Sequence, residues 1–268
     1  MTFIKLGGSI ITRKDEAETA NQEVLQRLAA ELASARAQQP GLRIILGHGS
    51  GSFGHVYAAR YGVHRGLAPA DDWRGFALTA AAALRLNRIV VDTLLAAGVP
   101  ALSLQPSSTL ACRNGQVVQW QTDTLTLALD RGLLPIVHGD VAFDSEQGSA
   151  IASTEALFAY LATHTTLQPA RIILVGETTV YTADPFRDPA AERIPLITGA
   201  NVAAVLSRAG GSRAVDVTGG MRSKLELMWS LIEGVPGLEV DLITAQAGEL
   251  TNALLAPEQV SGTRMRIA

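Results

Sequence analysis

The segment Gly47-His48-Gly49-Ser50-Gly51-Ser52-Phe53-Gly54-His55 constrains this chain more than any other. The apolar run Leu42 to Leu46 ahead of it reads as a buried strand, and Val56 to Tyr61 behind it reads as the start of a helix. Strand, glycine-rich turn and helix in that order place the turn at the carboxyl end of a sheet strand. Glycine accepts positive φ without steric cost, so backbone N–H groups from Gly49 to Gly54 can face one point. Such a nest, with a helix N-terminus behind it, is a phosphate site. His55 closes the segment with a titratable donor aimed at the same place. The competing reading is a tight turn with no ligand, and the rest of the chain weighs against it.

Two further glycine turns follow the same pattern. Residues 2–6 read as a first strand, ending in Lys5-Leu6-Gly7-Gly8-Ser9, with Lys14 able to reach back. Asp216-Val217-Thr218-Gly219-Gly220-Met221 opens a helix that carries Lys224 one turn in. Of 22 basic residues only three are lysines, Lys5, Lys14 and Lys224, and all lie in or near these turns. A chain that uses arginine elsewhere keeps lysine where a compact ammonium on a flexible stem is needed. Several nests and lysines facing one crevice point to a polyphosphate donor and a second anionic group. Phosphoryl transfer asks for in-line positioning and positive charge on the moving group rather than covalent help. The P-loop pattern and the protein-kinase motifs are both absent from the sequence.

The remaining pattern is α/β. Amphipathic helices are expected over Asn21–Gln39, Asp71–Ala97, Thr122–Arg131 (capped by Thr122), Ser153–Thr163 (capped by Ser153), Asn201–Ala209 and Gly248–Leu255. Strands are expected over residues 101–104, 133–137, 171–175, 238–244 and 263–267, with a hairpin at Arg113-Asn114-Gly115. Strands alternating with helices throughout predict a mainly parallel sheet covered on both faces. The small-residue centre Ala80-Ala81-Ala82-Ala83, beside Phe76, Leu84 and Leu86, serves either close packing or a slender apolar ligand. With 268 residues and 47% hydrophobic content the chain can build one large domain, with any seam between lobes near residue 168. A net charge of −3 recommends neither nucleic acid nor an anionic membrane, and no run is long enough to span a bilayer. The lone Cys112, read as a core residue, precludes an internal disulfide and fits a reducing cytoplasm. His48, His64 and His164 read as structural or surface residues; His138 is left open.

Lys5-Leu6-Gly7-Gly8-Ser9, the Gly49–His55 turn, His138-Gly139-Asp140-Val141, Tyr181-Thr182-Ala183-Asp184-Pro185 and Asp216–Met221 with Lys224 stand in the order of the amino acid kinase superfamily. Within it, Gly51-Ser52-Phe53-Gly54-His55 resembles the isopentenyl phosphate kinase family. The resemblance covers nearly the whole chain. It implies an αβα sandwich, usually a homodimer, that phosphorylates isopentenyl phosphate with ATP and Mg²⁺. It implies an acceptor half (about 1–168) and a nucleotide half (about 169–268).

By position, Lys5 and Lys14 would neutralise the transferred phosphoryl group and Lys224 would hold ATP phosphates. Gly7, Gly8, Ser9, Gly219 and Gly220 would offer backbone to the nucleotide, which Tyr181, Asp184 and Pro185 would border. Gly8, Gly49, Ser50, Gly51, Gly54 and Gly139 would surround the acceptor phosphate, which His55 would bind. No protein ligand to the metal is assigned. Asp140 and Asp216 would orient lysines or serve as caps and turn residues. The chain departs from the family at Ser50, where a glycine is usual, at Val175–Thr179 and at Ser153-Thr154-Glu155. A kinase for another phosphorus-containing acceptor such as fosfomycin shares the histidine logic, and a nucleotide-binding sensor shares the nests but needs no transfer lysines.

Overall fold

The computed structural model describes residues 1–185, 187–209 and 220–267. The first half runs β1 (Thr2–Leu6), the single turn α1 (Gly8–Ile11), α2 (Gln22–Gln38), β2 (Ile44–His48), α3 (Gly51–Arg60) and α4 (Arg74–Ala96). It continues through β3 (Ala101–Ser103), the hairpin β4 (Leu110–Arg113) and β5 (Gln116–Trp120), α5 (Asp123–Asp130) and β6 (Leu134–His138). A second hairpin, β7 (Asp140–Asp144) and β8 (Gly148–Ala152), leads into α6 (Thr154–His164). Then come β9 (Arg171–Gly176), β10 (Leu196–Ile197), α7 (Val202–Ala209), α8 (Gly220–Gly234), β11 (Glu239–Thr244), α9 (Glu249–Leu255) and β12 (Thr263–Met265).

The main sheet has the order β10-β12-β11-β9-β1-β2-β6-β3, parallel except where β12 meets β11. Neighbouring strand residues go to opposite cores. Phe3, Ile45 and Ile172 pack with Phe158, Leu225 and Met228 on one face, while Ile4, Ile44 and Ile173 pack with Leu25, Leu86 and Leu250 on the other. Central strands with apolar residues directed to both faces are what a sheet buried on both sides requires, so the architecture is helix, sheet, helix. β1 is the switch point. Strands from before residue 168 lie on its β2 side, those from after it lie on its β9 side, and the sheet is unbroken between them.

The expected alternation of strand and helix fails at two hairpins, which build a separate sheet of order β5-β4-β7-β8. The Asn114-Gly115 turn forms as expected, both residues having positive φ. β7 and β8 escape the pattern reading because both are short and rich in small residues, with Asp140 and Asp144 at the ends of one and Gly148 opening the other. The Asp144 carboxylate ties the two hairpins together by accepting N–H bonds from Asn114, Gly115, Glu146 and Gln147. Ser153 caps α6 through the Ala156 N–H, whereas the Thr122 hydroxyl makes no capping bond to α5. Cys112 is buried in the core, as expected. No helix among the described residues is long and apolar enough to cross a membrane.

Candidate active site

The turn after β1 and the turn after β2 are built as one unit. Gly7 N–H donates to the Val175 carbonyl at 2.8 Å, and Gly49 N–H to the Leu6 carbonyl at 3.0 Å. This holds both turns at the carboxyl ends of the central strands, where ligands of open α/β sheets bind. The turns touch backbone to backbone. A Cβ on Gly8 would lie 2.8 Å from the Gly51 Cα, and one on Gly49 would lie 2.9 Å from the Gly8 nitrogen. Thr12, which the sequence reading passed over, pins the pair. Its hydroxyl donates to the Gly8 carbonyl at 2.7 Å and accepts the Ser52 N–H at 3.1 Å.

This corrects the expected nest. Helix α3 starts at Gly51 rather than Val56, so His55 stands on the helix one turn in and does not close a loop. The amides of Gly49, Ser52, Phe53 and Gly54 already donate to Leu6, Thr12, Ser50 and Ser50. The nest offered to a ligand is therefore narrower than residues 49–54. Ser50 fits this turn without strain. Its φ of −80° and ψ of −13° are ordinary right-handed values, and its side chain lies where a Cβ on Gly54 would clash.

A cavity of about 710 Å³ opens over these turns. Lys5, Lys14, His55 and Lys224 all line it, as do Gly7, Gly8, Ser9, Gly49, Ser50, Gly51, Gly54, Gly139 and Gly220. Gly219 and Asp216 lie outside the described residues. Tyr181 bridges to Arg193, Asp184 pairs with Arg187 at 3.4 Å, and neither they nor Pro185 line the cavity. The expected apolar ligand wall also moves. Ala81 is exposed, Ala82, Leu86 and Phe76 are in cores, and it is Thr79 and Ala83 of α4 that reach the cavity, with Val56, Ala58 and Ile151.

Two of the departures noted in the sequence hold the lysines. The Lys5 ammonium makes an ion pair with Glu155, both side chains being largely buried. Burial pushes the Glu155 carboxyl up, but the charges of Lys5 and Lys224 and the Lys5 hydrogen bond outweigh it and keep the pKa below its ordinary value. Lys14 meets Glu177, at the end of β9, at 2.8 Å. Glu155 and Glu177 are thus the site residues that sequence reasoning missed. They stand 150 and 163 positions from their lysines, and only their place in the departing motifs marked them.

Asp140 is not a lysine partner. Its carboxylate accepts the N–H groups of Ser107 and Val141 at the cavity floor. Beneath it His48 and His138 stack, with ring centroids 5.5 Å apart and both side chains fully buried. His48 bonds the Gly49 carbonyl and Asn87, so it is structural as expected, and His138 bonds the Gly139 carbonyl. Burial lowers both imidazoles to about 4, helped at His48 by the neighbouring ring, and burial raises Asp140 to about 6.

The signs oppose. Between pH 6.5 and 4 the unfolded imidazoles bind protons that the folded ones do not, so acid weakens the fold through the histidines. Between pH 6 and 3.8 folded Asp140 binds the extra proton, so acid favours the fold there. Two groups outweigh one. Denaturant midpoints are expected to fall from pH 7 to pH 4.5, and His138→Gln is expected to flatten that fall. An unchanged slope in the variant would show that His138 titrates normally.

Among the described residues no three acidic, imidazole or thiol side chains converge to hold a metal. Magnesium bound mainly through nucleotide phosphates and water needs no such group.

The sequence pattern of the amino acid kinase family matches residues 1–238. The chain belongs to the amino acid kinase family. The kinase is 35% identical to the isopentenyl phosphate kinase of Methanothermobacter thermautotrophicus, over 99% of this chain and 98% of that one. It is 31% identical to the isopentenyl phosphate kinase of Methanocaldococcus jannaschii, over 85% and 86% of the two chains. An X-ray structure of isopentenyl phosphate kinase aligns with a TM-score of 0.82 at 33% identity, covering 98% of this chain and 99% of that one. The product complex of the Thermoplasma acidophilum enzyme, at 22% identity and a TM-score of 0.78 over 99% and 100% of the chains, shares the fold.

Proposed function

We propose that this kinase transfers the γ-phosphoryl group of ATP to isopentenyl phosphate, giving isopentenyl diphosphate and ADP. The observation that carries the reading is the meeting of Lys5, Lys14, His55 and Lys224, from four separate segments, on one cavity at the switch point of the sheet. An acceptor phosphate oxygen attacks the γ-phosphorus, the bond to the β,γ-bridging oxygen breaks, and ADP leaves with that electron pair. The acceptor oxygen is already ionised near pH 7, so the step needs charge and alignment rather than a base. Lys5, near the carboxyl end of β1, and Lys14, on the loop before α2, would meet the moving group. Lys224 on α8 would hold donor phosphates, so the segment after 168 takes the nucleotide and the turns before it take the acceptor. Magnesium bound to the donor phosphates would spread their charge. A homodimer in the cytoplasm completes the reading, and light scattering of the purified kinase tests its first part.

The acceptor's apolar tail would lie along Val56, Ala58, Thr79, Ala83 and Ile151. A small polar acceptor gains nothing from that wall, which favours isopentenyl phosphate over fosfomycin. The test is ADP release with a panel of alkyl monophosphates, with fosfomycin and acidic amino acids as controls. Turnover of isopentenyl and dimethylallyl phosphates is expected; turnover confined to a control would overturn the assignment. Ala83→Phe is expected to raise KM more for long alkyl phosphates than for short ones. An equal loss for all lengths would mean core damage and move the tail elsewhere.

A further inference from the structure

Between Thr12 and Ala20 the chain leaves the body of the fold and returns. The neck is closed: Thr12 and Ala20 form an antiparallel bridge, and Arg13 N–H donates to the Thr19 carbonyl at 2.9 Å. The loop is of the compact surface kind whose ends meet. It brings Lys14, Asp15 and Ala17 to the cavity wall.

One residue fastens its outer side. Glu18 has a φ of 50°, in the left-handed region that a non-glycine residue seldom enters. In that conformation its N–H points to the Ser52 carbonyl at 3.4 Å, and its carboxylate takes two bonds from Arg85 of α4, at 2.8 and 2.7 Å. Arg85, and after it the Tyr57 hydroxyl of α3, hold the Glu18 carboxyl below its ordinary pKa against the effect of burial. Single ion pairs at a surface stabilise little. This one is bidentate, which fixes orientation as well as distance, and it accompanies a strained backbone that persists only where contacts over-determine it. Stability alone is a weak reason for such an arrangement. Placement of what the loop carries is a better one.

We propose that Glu18 and Arg85 are positioning residues for phosphoryl transfer: their bidentate pair anchors the Thr12–Ala20 loop on α4 so that Lys14 stands at the cavity. The inference rests on the phosphotransfer reading above, with Lys14 serving the transferred group. Lys14 is mostly exposed, so its place at the cavity depends on the loop that carries it and on its pairing with Glu177. An unanchored loop lets it swing into solvent, and misplacing a reacting group by about 1 Å can cost ~10²-fold in rate.

The experiment compares wild type, Glu18→Gln, Glu18→Gly and Arg85→Met, each also in a Lys14→Ala background, under single-turnover conditions that read slow variants. Wild-type turnover in the same assay reports on the function independently of the anchor. Glu18→Gln and Arg85→Met are expected to lower the transfer rate roughly five- to tenfold, with acceptor and ATP affinity unchanged and Tm within about 3 °C of wild type. Glu18→Gly relieves the positive φ and is expected to lose rate without losing Tm. In the Lys14→Ala background all three are expected to have no further effect, since the anchor acts through that lysine. Amide exchange across residues 13–19 should rise in the variants whatever their rates. Wild-type rates or exchange in Glu18→Gln, or an equal loss with and without Lys14, would overturn the proposal.

Discussion

Lys5→Met is expected to lower kcat by about two to three orders of magnitude, the range for removing a preorganised charge from a developing negative centre. Lys5 lies near the carboxyl end of β1, in register with Gly47 of β2 and Leu174 of β9, and lines the cavity over both glycine turns. Its ammonium is held by Glu155, whose carboxylate also feels Lys224. One buried acid therefore answers to the lysine of β1 and the lysine of α8 together. The single variant confounds two effects, because it leaves Glu155 buried with one partner fewer, and breaking a buried pair costs stability. Lys5→Met/Glu155→Gln separates them. The double variant is expected to regain Tm relative to Lys5→Met and to remain as slow. Glu155→Gln alone should be slow as well, since an uncompensated Lys5 relaxes toward other acceptors. Thermal melts and ADP release on all three decide the matter. A Lys5→Met variant within about threefold of wild type in kcat, a change of under 1 kcal/mol in barrier, would remove Lys5 from the moving phosphoryl group.

The cations of this site were legible in the sequence and their anions were not, for a physical reason. Lysines among glycines stand out because both residue types are locally unusual, and glycine turns follow strands in a recognisable order. Glu155 and Glu177 become partners only when β1, β9 and α6 assemble, and nothing within a few residues of either acid signals it. Arg85 and Glu18 meet across 67 positions in the same way. The glycines themselves were read as ligand-facing, yet Gly8 and Gly49 are needed first because the two turns lie backbone against backbone. Parallel strands with consecutive apolar residues directed to both faces declared themselves, whereas the short β7 and β8, with exposed Phe143 on one of them, did not. The tail wall moved by one helical step because a run of alanines cannot say which of its faces is turned inward; burial of Thr79 and Ala83 against exposure of Ala81 does.

His55→Ala is expected to lower kcat/KM for the acceptor about ten- to a hundredfold, the loss of one charge-assisted hydrogen bond worth roughly 1.5–3 kcal/mol. The problem this site must solve is that both substrates are phosphates. Most amides of the second glycine turn are spent on holding the turn together, through Leu6, Thr12 and Ser50, so backbone alone offers the acceptor less than a full nest. His55, half-buried on the first turns of α3, lines the cavity beside Ser50, Gly51 and Gly54. An imidazole titrates near pH 6.5 when unperturbed, so a neighbouring phosphate can draw it into the charged form. His48 and His138 cannot take that part, since burial, helped at His48 by the neighbouring ring, lowers both well below the ordinary imidazole value. His55→Gln, able to donate but not to carry charge, should fall between wild type and alanine. ATP affinity should hardly change in either variant. The decisive measurement is acceptor titration at fixed ATP with a melting control. A stable alanine variant with unchanged acceptor kinetics would reduce His55 to a packing residue of α3 and remove the reason for choosing a phosphate as the acceptor.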